Sequence, residues 1–356
     1  MSEKVFVGMS GGVDSSVTAL LLKQAGFDVT GVYMKNWTKD LPGFDCPWQD
    51  DFNDAKRVAT QLDIPFKVYD FENKYRSKVV DYMLDGYRQG LTPNPDIMCN
   101  QEIKFKLFLD LALSEGADKI ATGHYARINS SGSSSRLLTA KDQNKDQTYF
   151  LYRINRSALG QSLMPIGDYD KPSIRKIAAQ NNLITANKKD SQGICFVGKV
   201  GIKDFLLAEL GPQPSGQVLN DKGLVVGEHD GAIFYTIGQR HGLNIGGGLP
   251  YYVFKKDMAN NIVYVTRDLD QESLWAKKIN LTSIHFLVED LEDIKPSDQV
   301  MVRTRYRAPL VPVKSIKKSS DNLYILETTE EIRAITVGQS AVFYQGETVL
   351  GGGIIC

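Results

Sequence analysis

Residues 5–16, Val-Phe-Val-Gly-Met-Ser-Gly-Gly-Val-Asp-Ser-Ser, constrain this chain more than any other stretch. Val5, Phe6 and Val7 form a short apolar run of the kind that sits in the middle of a parallel sheet. Gly8, Gly11 and Gly12 then let the backbone turn sharply and bring its N–H groups close to a ligand. Val13, Val17, Leu20, Leu21 and Ala25 follow at helical spacing, and Gly26 ends the run. A helix N-terminus ringed by glycine amides and the Ser10, Ser15 and Ser16 hydroxyls is an anion site, and the natural anion is phosphate. Neither G-x-x-x-x-G-K-[ST], which places a lysine on a γ-phosphate, nor G-x-G-x-x-G is present. The competing reading is an ordinary strand–turn–helix with serine caps.

Ser10-Gly-Gly-Val-Asp-Ser15 resembles the pyrophosphate loop of the ATP α-hydrolases, enzymes that use ATP to make an adenylated intermediate and release pyrophosphate. The pattern downstream suits such a loop. Strands are predicted over 29–34, 66–71 and 118–122, with a helix over 51–62, giving a doubly wound parallel α/β domain whose crevice lies at the carboxyl ends of its strands. Residues 130–135 read as a polar hairpin tip or flexible loop. The α/β rhythm runs through a short helix over 203–210 and stops at Gly211-Pro-Gln-Pro-Ser-Gly216, the predicted boundary of a first domain over 1–210. Short strands over 224–226, 232–236, 251–255 and 262–266 define a β-rich middle domain, 211–275. Alternation over 300–307, 323–328, 341–344 and 349–355 predicts an all-β last domain, 276–356, of the small barrel type.

A chain of 356 residues is too long for one core, and 42% hydrophobic with 24% charged residues describes an ordinary soluble protein. No apolar run reaches spanning length and Met1-Ser-Glu-Lys leads straight into the first strand, so a cytoplasmic protein without membrane attachment is expected. The cysteines are Cys46, Cys99, Cys195 and Cys356, with no C-x-x-C pair to suggest zinc. Cys46 and Cys356 are assigned no chemistry. The formal net charge is zero, so a polyanionic partner needs a local patch. Val302-Arg-Thr-Arg-Tyr-Arg307 alternates, which on a strand puts Arg303, Arg305 and Arg307 on one face as a phosphate track or a solubilising edge.

Cys99 sits in Thr92-Pro-Asn-Pro-Asp-Ile-Met-Cys-Asn100, ahead of a helical stretch over 103–114. Pro93 and Pro95 are expected to keep the segment extended and Asn100 to cap the helix. Cys99 would then lie at a helix N-terminus, where the dipole lowers a thiol pKa from about 8.5 towards neutrality. Asp96 on the same loop is either an acid/base near that thiol or a turn cap, and Cys99 either a nucleophile or a buried filler. Cys195, in Asp190-Ser-Gln-Gly-Ile-Cys-Phe-Val-Gly198 with apolar residues on both sides of the sulfur, reads from composition alone as a buried structural cysteine before a reactive one.

An ordered set of motifs then converges. Gly8–Ser16, Asn94-Pro-Asp-Ile-Met-Cys-Asn100 leading to Lys104-Phe105, Thr122-Gly-His-Tyr-Ala126, Asn144-Lys-Asp-Gln-Thr-Tyr-Phe-Leu151, Ser191-Gln-Gly-Ile-Cys-Phe-Val-Gly198, Gly227-Glu-His, Thr236-Ile-Gly-Gln-Arg240 and Arg305-Tyr-Arg307 closely resemble the tRNA-specific 2-thiouridylases of the MnmA/TrmU family. The resemblance implies an ATP site made by Gly8, Met9, Ser10, Gly11, Gly12, Val13, Asp14 and Ser15 with Met34 and Gly123. It makes Cys195 the persulfide carrier, Cys99 its catalytic partner and Asp96 the acid/base. It places Asn94, Pro95 and Asp96 against the target base, and His124, Lys145, Asp146, Gln147, Arg305, Tyr306 and Gln339 against tRNA. Met98 and His241 depart from the more usual Leu/Val and Lys. The implied reaction uses ATP and Mg²⁺ to adenylate C2 of a wobble uridine, takes sulfur from a donor such as a cysteine desulfurase or a sulfur relay protein, and ends in a Cys99–Cys195 disulfide. Asp14 is either a Mg²⁺ ligand or a helix cap; no protein-held metal is otherwise read. Two rivals share the loop: a synthetase that adenylates its substrate for attack by ammonia, and a non-catalytic tRNA-binding protein that senses nucleotide.

Overall fold

The structure is a computed structural model that describes residues 2–41, 45–131, 134–190, 201–243, 245–246, 249–288 and 299–356. In chain order its first strands are β1 (Lys4–Gly8), β2 (Asp28–Lys35), β3 (Phe66–Asp70), β4 (Lys119–Ala121), a hairpin of β5 (Ala126–Ser131) and β6 (Ser134–Thr139), and the short β7 (Ser162–Leu163). Five of them form a parallel sheet in the order β3-β2-β1-β4-β7. Val5 and Val7 of β1 are fully buried, as a central strand covered on both faces requires. The chain winds from β1 out to β3 and returns on the other side through β4. The switch point therefore falls between β1 and β4, and the crevice outside their carboxyl ends is where such a sheet receives ligands.

Helix α1 (Val13–Gln24) follows β1 and α2 (Trp48–Gln61) follows β2. Two further helical runs, α3 (72–88) and α4 (95–114), each contain a π-helical stretch, Arg76–Val80 and Cys99–Phe108. Phe105, at φ −99° and ψ 15°, marks the kink in α4.

After helix Ile202–Leu210 a four-stranded sheet is built from β8 (Gly216–Asn220), β9 (Val225–His229), β10 (Tyr252–Asp257) and β11 (Ile262–Thr266), in the order β10-β11-β8-β9. The strand expected over 232–236 is instead a 3₁₀ turn, Ala232–Phe234. Four consecutive residues there, Ala232 to Tyr235, are all buried, which a strand with one solvent face cannot do. Asn261 Oδ1 accepts from Ala232 N at 3.0 Å and fixes the turn.

The last domain contains β12 (Trp275–Phe286), β13 (Met301–Arg303), β14 (Val311–Ser320), β15 (Leu323–Arg333), β16 (Ser340–Gln345) and β17 (Thr348–Ile355). Their order, β12-β15-β14-β13-β16-β17, closes through a β12–β17 pairing into a six-stranded antiparallel barrel. The hairpin β5–β6 extends this sheet, Leu138 pairing with Thr348, so the nucleotide-type domain and the barrel share backbone hydrogen bonding. The alternating stretch 300–307 is strand only over Met301–Arg303. The chain then turns, with Arg307 in the left-handed region at φ 62°, so the three arginines do not share a strand face.

Candidate active site

The glycine loop lies at the switch point. Gly11, at φ 74°, holds a conformation that L-residues avoid, and a Cβ there would stand 2.2 Å from the Asp51 carbonyl oxygen. Gly12 is the extended N-cap of α1 and the helix has no side-chain cap. The serines do not cap it either: Ser15 and Ser16 Oγ both donate to the Gly12 carbonyl, at 3.1 and 2.8 Å, and Ser15 Oγ accepts from Ser10 N at 3.1 Å. The hydroxyls thus brace the loop on itself and leave first-turn amides of a helix without side-chain acceptors, the arrangement that receives an anion. Met9 and Val13 point into the core, 1% and 3% exposed, so their part in an anion site is confined to backbone. Met34 Cε packs against Gly8, within 2.9 Å of where a Cβ would stand. Gly123, after β4, comes close enough to α1 that a Cβ would lie 2.8 Å from Ser15 N. The loop after β4 thus forms the second wall.

Asp14, in the first turn of α1, is not a cap. Its carboxylate is held by Lys171 Nζ at 2.7 and 2.8 Å and accepts from Tyr125 Oη at 2.8 Å. Lys171 also reaches Asp190 at 2.9 Å, and Asp190 is gripped by Lys145 and Arg175, each at 2.7 Å. Among the described residues no group of three His, Cys, Asp or Glu side chains is placed to hold a metal, and Asp14 is committed to an ammonium. The donor set does not fit a protein-held Mg²⁺.

Asn94, not Asn100, caps α4: its side chain accepts from Asp96 N and Ile97 N at 3.2 and 3.4 Å. Pro95 occupies the first helical position, where its missing N–H costs nothing, so the segment expected to be extended is already helix. Cys99 therefore sits in the second turn, 1% exposed, not at the N-terminus itself. Asp96 lies three residues earlier on the same helix, and side chains at that spacing share a face. Asn100 turns inward, Nδ2 donating to the Phe150 carbonyl at 3.0 Å. Further along α4, Lys104 and Phe105 meet His124. Cys195 lies outside the described residues.

His124 is 8% exposed; Lys104 Nζ lies 3.3 Å from its Nε2 and Thr122 Oγ1 lies 2.8 Å from its Nδ1. An ammonium only donates, so Nε2 accepts and Nδ1 carries the proton. Burial, and then the Lys104 charge, push the imidazole pKa well below the usual value.

The residues expected to meet tRNA are differently placed. Lys145 is in the Asp190 cluster, and Gln147 Oε1 accepts from Tyr125 N at 2.9 Å. Asp146 is 2% exposed and bonded to Ala140 N and Thr148 Oγ1, so its side chain faces the protein. Tyr306 packs at a tilt against Phe150, ring centroids 4.5 Å apart and planes at 47°. Arg305 donates to the Ile237 carbonyl at 2.7 Å and to Thr336 Oγ1, and Arg303 is half-buried near Asp146 at 3.9 Å. Gln339 Nε2 donates to the Thr92 carbonyl at 2.8 Å, while Thr92 N donates to the Val337 carbonyl at 2.9 Å and Thr92 Oγ1 lies 3.3 Å from Thr236 Oγ1. Strand alternation suggested none of this. All three domains meet at Thr92, two residues before the cap of the helix that bears Asp96 and Cys99.

Comparison with known proteins decides the family. The model described as the tRNA methyl transferase HUP domain matches residues 3–199, its PRC-barrel partner 203–267, and the aminomethyltransferase beta-barrel domain 276–355. A protein of Bacillus velezensis named tRNA-specific 2-thiouridylase MnmA is 48% identical over 354 residues, 99% of this chain and 94% of that protein. The Bacillus subtilis protein of the same name is 46% identical over 355 residues, again 99% and 94%. The chain belongs to the MnmA family of tRNA-specific 2-thiouridylases. A MnmA-type chain is thus an α/β nucleotide-type domain, a PRC-barrel domain and a closed β-barrel in sequence, and the family's Asn94–Asn100 motif in this member is a helix start.

Lys171 and Asp190 were not picked out by the sequence reading as site residues. The available signal was Asp170-Lys-Pro172, an N-cap followed by a helix-starting proline; Asp170 does accept from Ser173 N at 2.8 Å.

Proposed function

We propose that this chain is a tRNA 2-thiouridylase, an ATP-dependent sulfurtransferase that converts C2 of the wobble uridine to a thiocarbonyl and yields 2-thiouridine, AMP and pyrophosphate. What carries the reading is near-complete coverage at 46–48% identity by proteins named for that activity, together with an uncapped helix behind a glycine loop at the switch point of the sheet.

The chemistry assigns the parts. A uridine C2 oxygen is a poor leaving group; attack of that oxygen on the α-phosphorus expels pyrophosphate and turns it into the oxygen of AMP. The first-turn amides of α1 would hold the departing pyrophosphate, charge meeting fixed dipoles in a site that needs no reorganisation. Sulfur then adds to C2 and AMP departs. The sulfur is carried as a persulfide on Cys195. Either it attacks C2 and Cys99 displaces it as a disulfide, or Cys99 releases it as sulfide that attacks. Both routes leave a Cys99–Cys195 bond that takes two electrons and two protons to reopen. Asp96, on the face of Cys99, serves as acid/base. Asn94 and Pro95 would meet the base, with His124, Lys145, Asp146, Gln147, Arg305, Tyr306 and Gln339 around the tRNA. Met9 and Val13 contribute backbone to the ATP site, beside Gly8, Ser10, Gly11, Gly12, Asp14, Ser15, Met34 and Gly123.

Mg²⁺ is assigned to the phosphates of ATP, where it offsets their charge, and no protein-held site is invoked. Residues 1–210 are assigned as the catalytic domain, 211–275 as the middle domain and 276–356 as the barrel. A persulfide donor such as a cysteine desulfurase or relay protein completes the system, in the cytoplasm. Among the described residues no helix is long and apolar enough to cross a membrane. The test is an incubation with ATP, a persulfide donor (a cysteine desulfurase with cysteine) and unmodified tRNA, followed by nucleoside analysis. Pyrophosphate release with 2-thiouridine supports the reading, and ATP-dependent amidation or tRNA binding without turnover replaces it with one of the rivals.

A further inference from the structure

Lys171 is 9% exposed and its ammonium makes three close contacts: 2.7 and 2.8 Å to the Asp14 oxygens and 2.9 Å to Asp190 Oδ1. An ammonium has three protons, so another acceptor enters only by displacing one of these. The carboxylates differ in what remains to them. Asp190 keeps Lys145 and Arg175 at 2.7 Å each. Burial raises its pKa, but the bonds from Lys145 and Lys171 outweigh that and hold it at about 2. Asp14 has in addition the Tyr125 hydroxyl, and it stands in the first turn of α1, where an uncompensated negative charge opposes an anion on the loop. Lys171 is therefore required on Asp14 but can be exchanged from Asp190 without stranding a buried charge.

We propose that Lys171 is a phosphate-binding residue of the glycine loop, and that the Asp190 carboxylate occupies its third proton in place of a phosphate oxygen until nucleotide arrives. The inference rests on the nucleotide reading given above. On binding, a phosphate oxygen replaces Asp190 Oδ1 on Lys171, and Asp190 stays paired with Lys145 and Arg175. The cluster holds Lys145, Lys171 and Arg175 against Asp14 and Asp190, with the Asp142 carboxylate on the Lys145 and Lys171 backbone amides, so a phosphate oxygen gains its place on Lys171 by exchange for Asp190 and not by an excess of positive charge. An internal competitor lowers affinity, so its removal should raise it.

The experiment is calorimetric titration of the full chain with inorganic pyrophosphate and with ATP, for the native protein, Asp190→Asn, Lys171→Gln and the double variant. Asp190→Asn is expected to tighten both ligands by about threefold to tenfold, and Lys171→Gln to weaken them by about tenfold or more. In the double variant the gain from Asp190→Asn should vanish. Unchanged or weaker binding by Asp190→Asn overturns the inference, as does an undiminished gain in the Lys171→Gln background. Should Lys171→Gln not fold, Asp190→Asn alone decides. A native protein that binds neither ligand removes the nucleotide reading and this inference together, whereas native binding with Asp190→Asn unchanged removes only the inference.

Discussion

His124 shows how one buried side chain sets a property of the whole fold. It is held neutral by burial and by Lys104, and burial also lowers the pKa of His229 and His285. In the unfolded chain each would titrate near its ordinary value of about 6.5. As pH falls through that value the unfolded state takes up protons that the folded state refuses, so stability is full above it and declines below it. Denaturant melts at pH 7.5 and 5.5 should show the loss, and His124→Gln, which can still accept from Lys104 and donate to Thr122, should reduce it; an identical pH slope in the variant would remove His124 from the account. Asp96 and Cys99 give a second pair of outcomes. Asp96→Asn is expected to lower thiolation by about 10²–10⁴-fold with ATP affinity unchanged, the range for loss of a positioned acid/base. Measuring the two quantities separately distinguishes that from a folding defect. The sequence singled out both residues as candidates but misjudged their setting, because Pro95 and Asn94 read equally well as an extended segment and as a helix start. Only packing decides between them.

At the scale of elements, α4 and the barrel are joined through Thr92. Gln339→Ala removes the bond to the Thr92 carbonyl. It should therefore reduce turnover more than tRNA affinity, a split visible when kcat and KM are compared. The arginine stretch carries the opposite lesson. Alternation predicted a strand face of Arg303, Arg305 and Arg307, but β13 ends at Arg303 and the three guanidinium groups go to different partners. Arg303, half-buried beside Asp146 and over the Tyr344 ring, is a structural residue. Arg303→Ala is expected to cost on the order of 2–3 kcal/mol of stability. The slope of log Kd for tRNA against log salt should stay unchanged, since that slope counts phosphates neutralised; a flattened slope with unchanged stability would restore the phosphate track. The strands β1 to β4 of the nucleotide domain were legible because β1 is an unbroken buried apolar run before a glycine turn and the next three recur after it in an alternating strand–helix rhythm, whereas the two-residue β7 has too little sequence to show a pattern. The 232–236 segment was misread because a turn buried on every side has the same composition as a strand.

Across the whole molecule, the loop after β1, the loop after β4 and the kink of α4 come from distant parts of the sequence and meet through Gly123 against α1 and His124 against Lys104 and Phe105. The hairpin β5–β6 and the contacts of Thr92 tie that centre to the barrel and to the middle domain. Motif order in the sequence implied the family, but not this junction, since the hydrogen bonds that make it link residues up to 247 positions apart. Such an arrangement suits a reaction in which a nucleotide and a thiol act on one base. On the function proposed above, nucleotide activation would belong to the loop and sulfur delivery to the cysteines. The most direct measurement follows pyrophosphate release and 2-thiouridine formation in the same incubation of unmodified tRNA, ATP and a persulfide donor (a cysteine desulfurase with cysteine), for the native chain and for Cys99→Ser. The native chain should give both products and Cys99→Ser pyrophosphate without thiouridine. Undiminished 2-thiouridine from Cys99→Ser would contradict the account.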